Sequence, residues 1–117
     1  IFLAKVKNPS AYGVAEFDAQ DAKRIIGIRE KPRRPPSQLA VTGFYIYDAN
    51  VFRYVRRLKP SARGELEITD VNNLYLRDGK LAWSKIKGFW CDAGENHEYL
   101  LLAGMTVAKL KRTGKRA

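Results

Sequence analysis

Two features of the chain predict an α/β fold, a mixed sheet with about three helices. The first half consists of short apolar segments, rich in β-branched and aromatic residues and separated by Gly, Pro, Asn and Asp. This is the pattern of strands and turns. The second half carries apolar residues at spacings of three and four, which is typical of helices with one buried face. Sheets covered by helices make up the α/β class.

Length and composition agree with one folded domain. The 117 residues can bury a modest core, and 45% apolar and 11% aromatic content argue against disorder. The single cysteine, Cys91, excludes an internal disulfide and suits a reducing cytoplasm. No stretch approaches the ~20 apolar residues that cross a bilayer, and no signal-peptide pattern opens the chain. We therefore predict a soluble, cytoplasmic domain without a membrane partner.

The net charge of +10 raises the question of an anionic partner. A basic surface attracts the phosphates of nucleotides or of nucleic acid, but it also serves to keep a protein soluble. No RNP-like motif or helix-turn-helix spacing accompanies the charge, which argues against nucleic-acid binding. The basic residues gather at Lys31–Arg34, Arg53–Arg63 and Lys109–Arg116.

Five longer segments are predicted to be strands. The chain is apolar from Ile1 onward, as in a fragment whose preceding part would complete the sheet. The stretch 41–47 alternates only weakly, which favours a central strand buried on both faces. The predicted strands are residues 1–6, 14–18, 24–28, 41–47 and 81–86.

Three helices are predicted, the first starting at Asp48 or Asn50 and the last at Glu95 or Asn96. Gly79 is expected to close the second helix. The third has a wide apolar stripe, which predicts a well-covered helix, and His97 in its first turn suits a surface or capping role. The predicted inward faces are Val51, Phe52, Val55 and Leu58; Leu66, Ile68, Val71, Leu74 and Tyr75; and Leu100, Ala103, Val107 and Leu110, with Leu101, Leu102 and Met105 beside them.

A carboxylate and an ammonium meet where a predicted strand ends, at Glu30 and Lys31 before Pro32. Such a pair can hold a phosphorylated sugar, because the carboxylate accepts from hydroxyls and the ammonium neutralises phosphate. A solvated strand end is the alternative. Gly13 either lets a ligand approach the backbone or is an ordinary loop glycine. Tyr45 is either a core aromatic residue or a wall of the pocket.

Two further residues are candidates for anion and metal binding. Arg63 stands just before a predicted helix, where anions are favoured, or it pairs with Glu65 or Glu67 to order the turn. Asp92 follows the short stretch 89–91, where a strand is expected to end, and could offer a hard oxygen ligand to Mg²⁺. Asp-x-Gly is also a common turn.

Five ordered blocks, covering nearly the whole chain, resemble the later half of the sugar-1-phosphate nucleotidyltransferases. The resemblance implies a partial Rossmann-like fold and a single domain over residues 1–117, the C-terminal half of the catalytic domain. It also implies attack by a sugar 1-phosphate on a nucleoside triphosphate. The blocks are residues 12–18, 30–32, 40–48, 58–72 and 90–94.

The same resemblance implies roles for the candidate residues. Lys31 and Arg63 would be catalytic and hold the sugar phosphate, and Asp92 would bind Mg²⁺. The family usually reads Asp-Thr-Gly-Thr at the metal, whereas Ala93 and Glu95 replace both threonines here, which alters the shape of that site. The residues implied to bind the sugar phosphate are Gly13, Glu30, Lys31, Tyr45 and Arg63.

The family's Gly-x-Gly-Thr-Arg-Leu loop, which binds the triphosphate, does not occur in these 117 residues. We therefore expect binding of a sugar 1-phosphate without activity, the triphosphate being a partner only if the missing half is supplied. Exposed sheet edges predict a homo-oligomer. A non-catalytic binding or assembly module is the alternative, and a basic nucleic-acid binder is a weaker one.

Overall fold

A computed structural model of the chain describes residues 1–114 and has the predicted α/β architecture. Lys115 and Arg116 of the basic tail lie outside the described residues. The chain forms two compact units, Ile1–Lys85 and a second unit that starts at Ile86. The strands are β1 (Phe2–Lys5), β2 (Gly13–Phe17), β3 (Ile25–Glu30), β4 (Leu39–Val41) and β5 (Ser84–Lys85), and the helices are α1 (Val51–Val55), α2 (Ile68–Arg77) and α3 (His97–Arg112).

The sheet is mixed, as predicted, with the strand order β3-β2-β4-β1-β5. β1 runs antiparallel to β4 and parallel to β5, while β2 runs antiparallel to both β3 and β4. A register shift between Glu16 and Phe17 bends the β2–β3 ladder. Because β3 stands at one end of the strand order, it is an edge strand. Its last residue is Glu30.

The core of the first unit consists of two apolar clusters. One lies on the sheet and the other joins α1 to α2. Each fully buried aliphatic side chain contributes about 1.5–3 kcal/mol, so truncating Leu3 to alanine is expected to cost about 2–5 kcal/mol. The sheet cluster contains Leu3, Ala15, Ile25, Ile28 and Val41, and the helix cluster contains Tyr54, Val71 and Tyr75.

Tyrosine hydroxyls tie the helices to neighbouring carboxylates. Tyr75 on α2 donates to Asp48 Oδ1 at 2.6 Å, and Tyr54 on α1 donates to Asp78 Oδ2 at 2.5 Å. The two rings pack edge to face with centroids 4.6 Å apart. Because charge-assisted hydrogen bonds are stronger than neutral ones, these contacts fix α1 against α2.

The predicted strand over residues 41–47 is wrong beyond Val41, where β4 ends. Phe44 and Ile46 are 58% and 70% exposed, whereas Tyr45 and Tyr47 are partly buried and stack 5.7 Å apart. Only one side of this segment meets the core, so it is not a two-sided central strand. The strand predicted over residues 81–86 is reduced to Ser84–Lys85.

Two predicted helix faces need correction. α1 buries Tyr54, whereas Phe52 is 66% exposed and Val55 is also exposed. A helix of five residues is barely longer than one turn, so only one direction faces the core. α2 starts at Ile68, and both Ile68 and the preceding Leu66 are exposed. Val71 and Tyr75 are buried, as predicted, and Gly79 follows the helix with φ +65°.

α3 begins as predicted, because the Asn96 side chain accepts from the Tyr99 backbone N–H at 2.9 Å. The expectation that α3 is well covered is wrong, since none of its residues is buried. Apolar spacing predicts a helical face but does not reveal whether a partner covers it. No helix within residues 1–114 has the length and apolar character needed to cross a membrane.

Candidate functional site

Gly13 and Glu30 lie opposite each other in the antiparallel β2–β3 ladder. Directly paired residues share one face of a sheet, so the Glu30 side chain rises beside Gly13. A Cβ on residue 13 would lie 3.3 Å from Glu30 Oε2 and 3.0 Å from Thr69 Oγ1. Glycine thus permits the close approach of Thr69 and Glu30, whose atoms belong to the protein itself. The predicted approach of a ligand to Gly13 stays a prediction.

Thr69 is a candidate residue that the sequence did not identify. It lies in the first turn of α2, is 4% exposed and donates its hydroxyl to Glu30 Oε2 at 2.5 Å. A threonine spaced to fall on the buried side of a helix is a usable signal, because buried hydroxyls require a partner. The sequence could not show that this partner is Glu30, 39 residues away.

Lys31 follows Glu30 with φ +41°, in the left-handed region that favours glycine. Its backbone N–H donates to the Tyr12 carbonyl at 3.0 Å, which extends the pairing by one residue. Its side chain is exposed. A non-glycine residue in this conformation costs about 1–2 kcal/mol, and such strain concentrates at functional sites.

Arg63 makes the pairing that was the alternative to anion binding. Its guanidinium contacts the Glu65 carboxylate and lies 3.6 Å from Glu67 Oε1. The hydrogen bond and charge of Glu65 raise the pKa of Arg63, with smaller contributions from Glu67 and Glu30. In turn Arg63 lowers the pKa of Glu65, and the charge of Lys31 lowers it further. These four charged groups and Glu30 therefore share one electrostatic neighbourhood.

Tyr45 is half-buried and packs against the sheet cluster, which fits a core role. Burial raises the pKa of its hydroxyl, and the charge of Glu30 raises it further. The ring therefore also lies within electrostatic reach of the candidate site, which fits a wall role. At the end of β3 the structure places Gly13 opposite Glu30, with Lys31 next in the chain, and the charge of Glu30 raises the pKa values of Tyr45 and, as the smallest contribution, of Arg63.

Asp92 lies in the second unit, in a turn rather than at the end of a strand. Its Oδ1 accepts from the Gly94 backbone N–H at 2.9 Å, and its carbonyl accepts from the Glu95 N–H at 3.2 Å. Residues 1–114 contain no group of three or more His, Cys, Asp or Glu side chains placed to hold a metal. Asp92 offers one hard oxygen ligand, which fits Mg²⁺ when phosphates and water supply the others. His97 is exposed, and Asn96 caps α3 instead.

The sequence model of the nucleotidyl transferase family matches residues 1–109. The chain belongs to the nucleotidyl transferase family. Over 96 residues it is 54% identical to a glucose-1-phosphate thymidylyltransferase of Actinoplanes sp., covering 80% of this chain and 31% of that protein. Over 114 residues it is 46% identical to the Mycobacterium tuberculosis glucose-1-phosphate thymidylyltransferase, covering 96% of this chain and 38% of that protein. The resemblance to sugar-1-phosphate nucleotidyltransferases is therefore confirmed.

Solved structures extend the comparison to this nucleotidyl transferase's fold. A Bacillus anthracis protein assigned as a glucose-1-phosphate thymidylyltransferase, in complex with sucrose, superposes with a TM-score of 0.78 at 48% identity, covering 90% of this chain and 41% of that one. A UDP-glucose pyrophosphorylase in complex with UDP-glucose gives 0.75 at 27% identity, covering 92% and 44%. The predicted Rossmann-like fold is confirmed. The chain spans 31–38% of the length of these two curated relatives.

Proposed function

We propose that this chain is the sugar-phosphate-binding part, the C-terminal half of the catalytic domain, of a nucleotidyltransferase. The complete enzyme would make a nucleoside diphosphate sugar from a sugar 1-phosphate and a nucleoside triphosphate. The observation that supports the proposal is the cross-strand pair of Gly13 and Glu30 at the end of β3, followed directly by the exposed Lys31. The charge of Glu30 acts on the pKa values of Tyr45 and Arg63, which supports their assignment to the same site. This combination of groups suits a phosphorylated hexose. The names of the relatives support glucose 1-phosphate as the first ligand to test.

The sugar ring would approach the site beside Gly13, which adds no side chain of its own next to Thr69 and Glu30. Glu30 would accept hydrogen bonds from sugar hydroxyls, and Tyr45 would form one wall. Thr69 already occupies one carboxylate oxygen of Glu30. These contacts would orient the ring and, through it, the phosphate on its anomeric carbon.

Lys31 and Arg63 would hold the phosphate. The lysine ammonium acts as a compact charge, and the arginine guanidinium can bind two phosphate oxygens at once. In the reaction, a phosphate oxygen forms a bond to the α-phosphorus of the triphosphate while the α–β bridging bond breaks and pyrophosphate leaves. Catalysis of this kind depends on positioning and on neutralising charge.

Asp92 would hold Mg²⁺, which when bound neutralises phosphate charge. The triphosphate itself needs a cradle of backbone N–H groups, and the family's glycine-rich loop does not occur in these 117 residues. We therefore propose that this chain by itself binds a sugar phosphate without turnover. One domain over residues 1–117, a cytoplasmic location and homo-oligomer formation stay predictions from the sequence.

Isothermal titration calorimetry of the purified chain tests the proposal. Glucose 1-phosphate, thymidine triphosphate and a DNA duplex are titrated at two salt concentrations. We expect saturable binding of glucose 1-phosphate that weakens at least tenfold, about 1.4 kcal/mol, in Glu30→Gln and Lys31→Met. Lys111→Gln, a charge change on α3, serves as the control.

Three outcomes would contradict the proposal. Binding of DNA that falls steeply with salt, without binding of glucose 1-phosphate, would identify a nucleic-acid binder. Binding of none of the three ligands would leave a non-catalytic assembly module as the function. Pyrophosphate release on mixing glucose 1-phosphate with thymidine triphosphate and Mg²⁺ would contradict the predicted inactivity of the chain alone.

A further inference from the structure

Two polar side chains on α2 attach this helix to the edge strand β3. The Ile28 backbone N–H donates to Asn73 Oδ1 at 2.9 Å, and Asn73 Nδ2 donates back to the Ile28 carbonyl at 2.9 Å. One turn earlier on the same helix, Thr69 donates to Glu30 Oε2 at 2.5 Å. One attachment thus holds the backbone of β3, and the other holds the candidate sugar-binding carboxylate.

The spacing of the two attachments matches the geometry of both elements. Residues four apart on a helix lie on one face, about 6 Å apart along the axis. Residues two apart on a strand also share a face, and they are separated by about 6.7 Å. Thr69 and Asn73 on α2 therefore meet Glu30 and Ile28 on β3 without distortion of either element. The two attachments are separate contacts, one to the backbone of Ile28 and one to the side chain of Glu30.

Asn73 takes the place that a further strand would occupy. β3 is the edge of the sheet, and alternate residues of an antiparallel edge strand direct their backbone N–H and C=O groups outward. At Ile28 both of these groups are satisfied by the amide of Asn73. The backbone of Ile28 is therefore not free to pair with another strand. Because Ile28 lies two residues before Glu30, these bonds also restrain the end of the strand.

We infer that Asn73 and Thr69 are positioning residues that fix the Glu30 carboxylate for the sugar part of the ligand. Thr69 occupies Oε2 and leaves Oε1 to accept from a sugar hydroxyl, while Asn73 holds the strand that carries Glu30. The phosphate part of the ligand depends on other residues, Lys31 and Arg63. The inference rests on the proposed function, because it assigns these residues to the same site.

The experiment compares two probes, glucose 1-phosphate and inorganic phosphate, by calorimetry on the full chain. Thr69→Val removes the hydroxyl at nearly constant volume, and Asn73→Ala removes both bonds to Ile28. For each we expect about tenfold weaker binding of glucose 1-phosphate, with binding of inorganic phosphate changed less than about twofold. Thr69→Ser keeps the hydroxyl and is expected to restore binding.

Hydrogen exchange gives a second readout that needs no ligand. In Asn73→Ala the Ile28 amide loses its acceptor and should exchange at least about tenfold faster, while Thr69→Val leaves that rate unchanged. The matched control is Asn50→Ala, which removes an asparagine amide bonded to Asp48 at 2.7 Å. It is expected to lower stability without altering the preference for glucose 1-phosphate over inorganic phosphate.

The result that overturns the inference is a wild-type chain that binds glucose 1-phosphate and a Thr69→Val variant that binds it equally well. An equal loss of glucose 1-phosphate and inorganic phosphate binding in both variants would also overturn it, because such a loss indicates general damage. A wild-type chain that does not bind glucose 1-phosphate would instead overturn the proposed function. The two failures are therefore distinguishable.

Discussion

Gly13 and Glu30 occupy one cross-strand position at the end of the β2–β3 ladder, with the Glu30 carboxylate beside the bare face of the glycine. The space above Gly13 is bounded by an acceptor, Glu30 Oε2, and by a donor, Thr69 Oγ1. A ligand hydroxyl that approaches Glu30 would meet a carboxylate already held in place by Thr69. Preorganisation of this kind lowers the cost of ordering side chains on binding.

Gly13→Ala is predicted to impair ligand binding more than stability. The new Cβ would lie 3.0 Å from Thr69 Oγ1, so Thr69 or Glu30 must move by a few tenths of an ångström. We expect about tenfold weaker binding of glucose 1-phosphate and a loss of about 1–2 kcal/mol in the free energy of unfolding. Calorimetry and urea unfolding measure the two effects.

Gly27→Ala in β3 is the matched control, because its Cβ would lie 3.4 Å from Glu16 Oε2, an ordinary contact. It should bind like the wild-type chain. If Gly13→Ala also binds like the wild-type chain, the glycine is not needed for close approach of the ligand.

Replacing Lys31 should separate stability from binding. Because its φ is +41°, Lys31→Gly relieves backbone strain, and we expect the free energy of unfolding to stay constant or rise by about 1 kcal/mol. Lys31→Asn also tolerates this conformation. Both variants should bind glucose 1-phosphate and inorganic phosphate at least about tenfold more weakly, since the ammonium is lost. A stability loss with unchanged affinity would show that Lys31 has a structural role instead.

Glu65→Gln is predicted to strengthen phosphate binding. Glu65 contacts the Arg63 guanidinium and competes with any anion that approaches it. We expect several-fold tighter binding of glucose 1-phosphate at low salt and a smaller gain at high salt, because ions screen exposed charges. Calorimetry at two salt concentrations measures the effect, with Glu98→Gln on α3 as the control. Weaker binding in Glu65→Gln would mean that the pair mainly orders the turn.

The Tyr75–Asp48 hydrogen bond predicts how stability depends on pH. The bond from Tyr75 lowers the pKa of Asp48, so the stability that this carboxylate contributes is present above about pH 4 and is lost as pH falls through its folded pKa. Burial, then Asp48, raises the pKa of Tyr75 to about 12. The contribution of Tyr75 is therefore present below about pH 10 and is lost as pH rises toward 12.

Tyr75→Phe should weaken the pH dependence of the free energy of unfolding in both the acid and the alkaline range, because it removes the hydroxyl that joins the two groups. Urea unfolding at a series of pH values measures this dependence. Tyr99→Phe on α3 is the matched control and should leave the profile unchanged. Acid and alkaline slopes in Tyr75→Phe that equal those of the wild-type chain would contradict the prediction.

Local patterns were sufficient to predict much of this fold. The first three strands and the starts of α1 and α3 follow from apolar spacing and, for α3, from the capping residue Asn96. The position of Glu30 and Lys31 at a strand end could also be predicted, because both residues lie within one local motif. These features depend on residues close together in sequence.

Features that depend on a distant partner were not predictable. The weak alternation and the β-branched and aromatic residues of the stretch 41–47 predicted a central strand, but only one side of that segment meets the core. The apolar stripe of α3 predicted a covered helix, yet no α3 residue is buried. The contact between Thr69 and Glu30 joins residues 39 apart, and helical spacing alone does not tell which strand a helix face will meet.

An NMR titration of the isotope-labelled chain with glucose 1-phosphate tests the central claim most directly. If the groups at the end of β3 form one sugar-phosphate site, the backbone amides of Gly13, Glu30, Lys31 and Arg63 should shift together and saturate with a single Kd. Amides that stay unperturbed while the ligand binds elsewhere, or that titrate with separate Kd values, would contradict it.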